Sequence, residues 1–290
     1  LLSLWTSAAN ALGAGLGFYA HAFDDTVLQS RDKYNNKLDE LYGILAELAE
    51  YAAEIGMRYI GVEQMYSPHQ LPWTVAGTRT LMKETYARAK SPFYITIDLG
   101  HINGQQYFLK PTEKYIAECI EKRKKGESSK RTWLGSRKAM DMYYAAINGE
   151  IHAAQAVTRI LQDVEQNPHM FAAPEDCSIN NWVEKLACYS PIMHLQQSDG
   201  KSSPHWPFSP EYNAHGVIIP ERILQGIAAS YEQDMEAGMP GKCSEIVLAL
   251  EPFISTAGNN YDALEELRQS VAYWRQYIPG DGMRLSELVK

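Results

Sequence analysis

Three short apolar runs in this chain each end in a carboxylate. They are Tyr59-Ile60-Gly61-Val62-Glu63, Phe93-Tyr94-Ile95-Thr96-Ile97-Asp98 and Glu245-Ile246-Val247-Leu248-Ala249-Leu250-Glu251. Helical periodicity fills the intervals. From Asn36 to Ile55, the residues Leu38, Leu41, Ile44, Leu45, Leu48, Ala52 and Ile55 recur at helical spacing, and Gly56 closes the run. Thr78 to Lys90, Pro220 to Glu236 and Tyr261 to Tyr277 read as further helices, and Leu16 to Phe23 and Pro191 to Gln196 as further strands. Strands that alternate with helices form parallel βα units.

The expected fold is therefore α/β, a (β/α)8 barrel of the TIM type, occupying residues 1–290 as one domain. Such a barrel takes about 250 residues, and the chain has 290. Residues from about 112 to 185 are mostly helical by composition, too long for one connection, and are expected to form a helical insertion over one barrel face. Only five strands are legible. The chain starts at Leu1 without a methionine, and its first fifteen residues look like the last helix before a strand. Two or three N-terminal strands are therefore expected to be absent from this chain.

Composition narrows the partners. The formal net charge is -8, whereas a chain that grips phosphate backbones needs clustered Lys and Arg. Nucleic acid is thus not expected as a partner. The basic run Lys122, Arg123, Lys124, Lys125, Lys130 and Arg131 reads as a solvated helix end and loop. Cys119, Cys177, Cys188 and Cys243 form no CxxC pair, which suits reduced thiols in a cytoplasmic protein. No stretch reaches the roughly 18 apolar residues of a membrane span, and no signal peptide is recognisable.

In a parallel barrel, chemistry sits at the C-terminal strand ends. Four such ends carry groups able to hold a cation: Glu63, Asp98, Gln196 and Glu251. Three acids pointing into one cavity would repel one another, and a divalent ion relieves that repulsion. Oxygen ligands favour Mn2+ or Mg2+ over ions that prefer sulfur, so Mn2+ is the first expectation, with Mg2+, Co2+ or Zn2+ as alternatives. His101 lies just beyond Asp98, across Gly100. The loop from Gln64 to Thr74 contains His69, Trp73 and two prolines, and the loop from Ser202 to Phe208 contains His205 and Trp206. His194 shares a strand face with Gln196. These positions make His101, His69, His194, Trp73 and His205 the candidate substrate-binding residues.

The strand-end Val62-Glu63, the run Asp98-Leu99-Gly100-His101, the strand His194-Leu195-Gln196 and the final Leu250-Glu251-Pro252 together resemble the xylose-isomerase-like TIM-barrel superfamily of sugar isomerases and epimerases. The resemblance covers roughly Leu16 to Tyr277, and Asp-x-Gly-His is its most specific element. The loops around His69 and His205 resemble the branch that handles tetrulose phosphates in erythritol breakdown. The family binds one cation through two Glu, one Asp and one His, and its two Glu also shuttle the proton. That implies Glu63, Asp98 and Glu251 as ligands and Glu63 and Glu251 as the catalytic pair. The family's ligand His falls on Gln196, a departure that leaves either Gln196 or His194 as the fourth ligand. Its substrate-binding His falls on His101.

The activity implied is metal-dependent isomerisation or epimerisation of a ketose or ketose phosphate, by proton transfer through a cis-enediolate. The alternatives are a dehydratase or lyase on the same barrel and a non-catalytic sugar-binding protein. Phosphate would be expected at Gly200 to Ser203 or at Ser255 to Gly258, where hydroxyls and backbone N–H groups cluster. A homodimer is the default assembly.

Overall fold

The chain's three-dimensional form is given by a computed structural model that describes residues 2–21, 23–127, 132–253 and 258–289, without the side chain of His21. The first half contains α1 (Leu2–Ala11), β1 (Leu16–Phe18), β2 (Ala20–His21), α2 (Asp25–Leu28), α3 (Arg31–Glu54), β3 (Ile60–Glu63), β4 (Gln70–Leu71), α4 (Val75–Ala89), β5 (Tyr94–Asp98) and α5 (Leu99–Gly104). Then come α6 (Glu113–Lys124), α7 (Arg137–Ile147), α8 (Ala153–Gln166), α9 (Ile179–Leu186), β6 (Ile192–Leu195), α10 (Pro210–Asn213), α11 (Pro220–Glu232), β7 (Val247–Leu250), α12 (Asn260–Trp274) and α13 (Leu285–Leu288).

Five strands form one parallel sheet in the order β1-β3-β5-β6-β7. Each neighbour is reached through a helical crossover, and the strands curve into a half-barrel. Among the described residues β1 and β7 do not pair, so the sheet stays open along both edges. The helix starts have clear local causes. Ser30 caps α3 by accepting from the Lys33 N–H, and Thr74 caps α4 by accepting from the Gly77 N–H. Such caps satisfy donors that the first helical turn leaves free. Both helices begin a few residues before the apolar periodicity does.

The expected strand from Leu16 to Phe23 divides. Residues Leu16–Phe18 join the parallel sheet, whereas Ala20–His21 pair antiparallel with Gln70–Leu71. This two-stranded ribbon connects the loops that follow β1 and β3, and two-residue pairings leave no periodicity to read in advance.

Two apolar clusters line the helix-covered face of the sheet side by side. One joins Ile95, Ile97, Met193 and Leu195 to Trp182, Val183, Leu186, Ile223 and Ile227 of α9 and α11. The other joins Ile60, Val62 and Phe93 to Leu45, Leu48 and Ala52 of α3 and to Leu81 of α4. A third cluster holds Ile116, Ile120, Tyr143, Ile160 and Val164 of α6, α7 and α8 together with Phe23, Tyr34 and Trp73. Of the helices between 112 and 185, α9 therefore packs with the sheet, whereas α6 to α8 share a core of their own. No described helix is long and apolar enough to cross a membrane. The four cysteines are free thiols.

Glycine sets the closeness of β3 to β5. A Cβ at Gly61 would stand 2.6 Å from the Tyr94 carbonyl oxygen, a backbone atom that cannot swing aside. Gly61→Ala is expected to destabilise the fold by about 1–3 kcal/mol through overpacking. Urea unfolding monitored by circular dichroism checks this; an unshifted midpoint would show that the strands can separate freely.

Candidate active site

Parallel register brings the polar strand ends together. Glu63 is level with Thr96, Asp98 with His194, and His194 with Ala249. In-register residues of neighbouring strands project to the same face, and residues two apart share it. Glu63, Asp98, His194, Gln196 and Glu251 therefore all point to the concave face, at the C-terminal edge of the sheet. The intervening residues Val62, Ile97, Met193 and Leu195 face the helices and are buried.

The side chains converge. His194 Nδ1 lies 3.1 Å from Glu63 Oε1, 3.1 Å from Glu251 Oε2 and 3.6 Å from Asp98 Oδ2. One atom from each of Glu63, Asp98, His194 and Glu251 fits within 4.8 Å of every other. Asp98 is fully buried and serves as the N-cap of α5, where its Oδ1 accepts the His101 N–H at 2.9 Å. The Gln196 amide also donates to that Oδ1. Gln64, buried beside Glu63, accepts the Asp98 N–H at 3.3 Å through its side chain, and its backbone carbonyl accepts from His101 Nδ1 at 2.9 Å. That leaves His101 Nε2 bare and 3.8 Å from Asp98 Oδ2.

Burial alone would raise the Asp98 carboxyl, but the His194 imidazole beside it and the His101 backbone N–H hold it well below the usual carboxylate range. Burial alone would lower His194, but Asp98, Glu251 and Glu63 push it up to about 12. A single imidazole N–H still cannot serve three acids. Asp98 Oδ2, Glu251 Oε2 and Gln196 Oε1 are all buried without a hydrogen-bond partner, and unsatisfied buried oxygens are costly.

A divalent ion fits this donor set. Ligand atoms about 2.1 Å from a shared ion, at octahedral or tetrahedral angles, stand about 3.0–3.4 Å from one another. The contacts around His194 Nδ1 span 3.1–3.6 Å. Such an ion would satisfy the stranded Asp98 and Glu251 oxygens and take the place of the His194 proton.

The other expected residues divide into two groups. His101 and His205 adjoin the cluster, with ring centroids 5.4 Å apart. His205 is buried and stacked on Phe253 at 3.9 Å, with its Nδ1 3.7 Å from Glu251 Oε2. His69 instead donates from Nδ1 to the Phe23 carbonyl at 3.0 Å, which ties the chain beside the β2–β4 ribbon. Trp73 is buried edge-on against Phe108 and lines a different cavity of about 210 Å³ with Tyr34, Tyr42 and His169. In the Gly200 to Ser203 loop, the Ser203 hydroxyl is buried without a partner and Lys201 is exposed. Ser255 to Ala257, and Lys130 and Arg131 of the basic run, lie outside the described residues. Sequence reasoning passed over Gln64, Phe253 and Tyr66, whose ring centroid lies 5.5 Å from that of His101. A polar residue directly after a strand-end acid was the available signal for Gln64; the other two read as ordinary loop aromatics.

Comparison with solved structures shows the fold. The chain has the fold of the xylose-isomerase-like TIM barrels, as an open half-barrel of five parallel strands. A provisionally assigned xylose isomerase of Rhodospirillum rubrum ATCC 11170, known from a crystal structure, superposes with a TM-score of 0.57 at 14% identity, over 93% of this chain and 66% of that one. Among curated proteins, the D-erythrulose 1-phosphate 3-epimerase of Brucella abortus (strain 2308) is 29% identical over 119 residues. That match takes in 41% of this chain and 35% of the epimerase, so this chain matches about a third of the curated relative's length. No family model matches the chain.

Proposed function

We propose that the chain forms the ion-binding and proton-transferring part of a sugar-phosphate epimerase or isomerase, acting on a tetrulose phosphate. The observation that carries this reading is the convergence of Glu63, Asp98, His194 and Glu251 at the sheet's C-terminal edge. Similarity to an erythrulose-phosphate epimerase supports the substrate class.

Those four residues would hold the ion, with His194 rather than Gln196 as the fourth ligand, because its ring nitrogen already sits among the three carboxylates. Three carboxylates and one imidazole suit Mn2+, then Mg2+. A bound divalent ion would polarise the substrate's carbonyl and hydroxyl oxygens and so acidify the C–H beside them. The protein's own groups do the rest. Glu63 ends β3 and Glu251 follows β7, so in the sheet order they flank β5 and β6, and each lies 3.1 Å from His194 Nδ1. One carboxylate takes the proton from the carbon beside the carbonyl, and the other returns a proton. Return to the opposite face gives the epimer; return to the neighbouring carbon gives the isomer. The bare His101 Nε2 holds a substrate hydroxyl. His205 and Phe253 wall the mouth, whereas His69 and Trp73 shape the loops behind it.

Incubation with D-erythrulose 1-phosphate and Mn2+ in deuterium oxide tests this. Product carrying deuterium on the carbon beside the carbonyl is expected, with unchanged carbon skeleton. Unlabelled product would reject transfer through exchangeable glutamates, and loss of water or a carbon fragment would indicate a dehydratase or lyase instead.

A further inference from the structure

We propose that Gln196 is a positioning residue whose amide holds Asp98 with one N–H and sets the tautomer of His205 with the other, so that the ring proton of His205 resides on Nε2. The tautomer does not depend on the function proposed above.

Gln196 lies one residue beyond β6 and is fully buried. Its Nε2 donates to Asp98 Oδ1 and stands 3.2 Å from His205 Nδ1. The carboxylate dictates the amide's orientation. Turned over, the amide would set its oxygen against Asp98 Oδ1, and two acceptors would face each other without a proton. With NH2 toward Asp98, the second N–H is left for His205. An amide N–H only donates, so His205 Nδ1 must offer a lone pair, and the ring proton then resides on Nε2.

A rival acceptor sharpens the inference. The Glu251 carbonyl lies 3.3 Å and its Oε2 3.7 Å from the same His205 Nδ1, and both would stabilise the opposite tautomer, with Nδ1–H donating to the carbonyl. Gln196 therefore decides between two tautomers that the surroundings both allow.

The fold holds His205 firmly in place for this contact. Its φ of 51° is left-handed, a region that non-glycine residues enter only when their surroundings impose it. Two hydrogen bonds between Gln197 and Trp206, at 2.7 and 3.0 Å, close the loop and return His205 to the side of Gln196. The His205 carbonyl accepts the Phe253 N–H at 2.8 Å, and the ring lies flat on Phe253. Gly100 is part of the same arrangement: a Cβ there would come within 2.6 Å of Gln196 Nε2. The glycine of Asp98-Leu99-Gly100-His101 thus leaves the space that the glutamine amide fills.

One consequence follows for the site. Asp98 Oδ1 is saturated by the His101 N–H and by Gln196, which turns Oδ2 alone toward the ion position.

Nitrogen-15 NMR of the full chain labelled at histidine tests the proposal, in metal-free protein and with Mg2+. The His205 signal is identified by its loss in His205→Gln. Wild-type His205 is expected to show protonated Nε2 and bare Nδ1. In Gln196→Met, which keeps the volume but lacks donors, the proton is expected to move to Nδ1 and bond the Glu251 carbonyl. Protonated Nδ1 in the wild type would overturn the proposal even if Gln196→Met did not fold. So would an unchanged tautomer in a folded Gln196→Met. Neither readout depends on turnover, so absence of epimerase activity would defeat the functional reading alone.

Discussion

Glu251→Gln is expected to lower turnover of D-erythrulose 1-phosphate by about 10²–10⁴-fold, the usual contribution of a general acid or base, while the chain still folds. The substitution is isosteric. The Glu251 backbone N–H donates to the Leu195 carbonyl at 2.9 Å, and that bond is untouched. The side chain is 36% exposed, so no core packing depends on it. What disappears is a carboxylate able to take and return a proton. Its carbonyl oxygen remains, so an ion can still bind, more weakly. Steady-state kinetics beside a thermal melt separate the two effects. A folded variant that retains turnover within a few-fold of wild type would remove Glu251 from the proton path.

The second large effect concerns His194 and the ion. Without an ion, the three carboxylates keep the His194 imidazole protonated across the neutral range, since they raise it to about 12 against the pull of burial. An ion must displace that proton to reach the ring nitrogen. Between about pH 6.5 and 9 the affinity for Mn2+ should therefore rise about tenfold per pH unit, with close to one proton released per ion. Calorimetry in two buffers of different ionisation enthalpy measures the proton directly. His194→Ala should weaken Mn2+ by more than about 100-fold, since groups that merely support ligands already cost 10–100-fold, and should flatten the pH dependence. The same linkage governs folding of the ion-free chain. His194 is raised above its ordinary value, so its stabilisation is full below about pH 6.5 and lost as pH climbs toward 12. Asp98 is depressed, so its contribution is present above its ordinary value and lost in strong acid. An affinity that does not change with pH would mean that His194 holds no proton to lose.

The three acids were legible because an apolar run ending in a carboxylate announces a strand with a polar group at its tip. Glu63 and Asp98 close β3 and β5, and Glu251 follows β7 by one residue. Alternation also placed His194 and Gln196 on one face. It could not say which of them reaches the acids, because that depends on the level of β6 relative to β5. The pairing of Asp98 with His194 puts the imidazole among the carboxylates and leaves Gln196 beyond them, bonded to Asp98 and His205. Loop composition was a weaker guide. Trp73 and His69 lie in a polar, proline-rich loop of the kind that meets ligands, yet Trp73 packs with Phe108 and His69 with the Phe23 carbonyl.

From the order of residues alone came the alternation of strand and helix, the parallel sheet it requires, and the acids at its C-terminal edge. These follow from periodicity and from the geometry of a single strand, which are local. Strand level, the β2–β4 ribbon and the return of the 197–206 loop that delivers His205 were decided only in three dimensions. They depend on pairings between segments far apart in the chain, whose energies no local pattern of residues records.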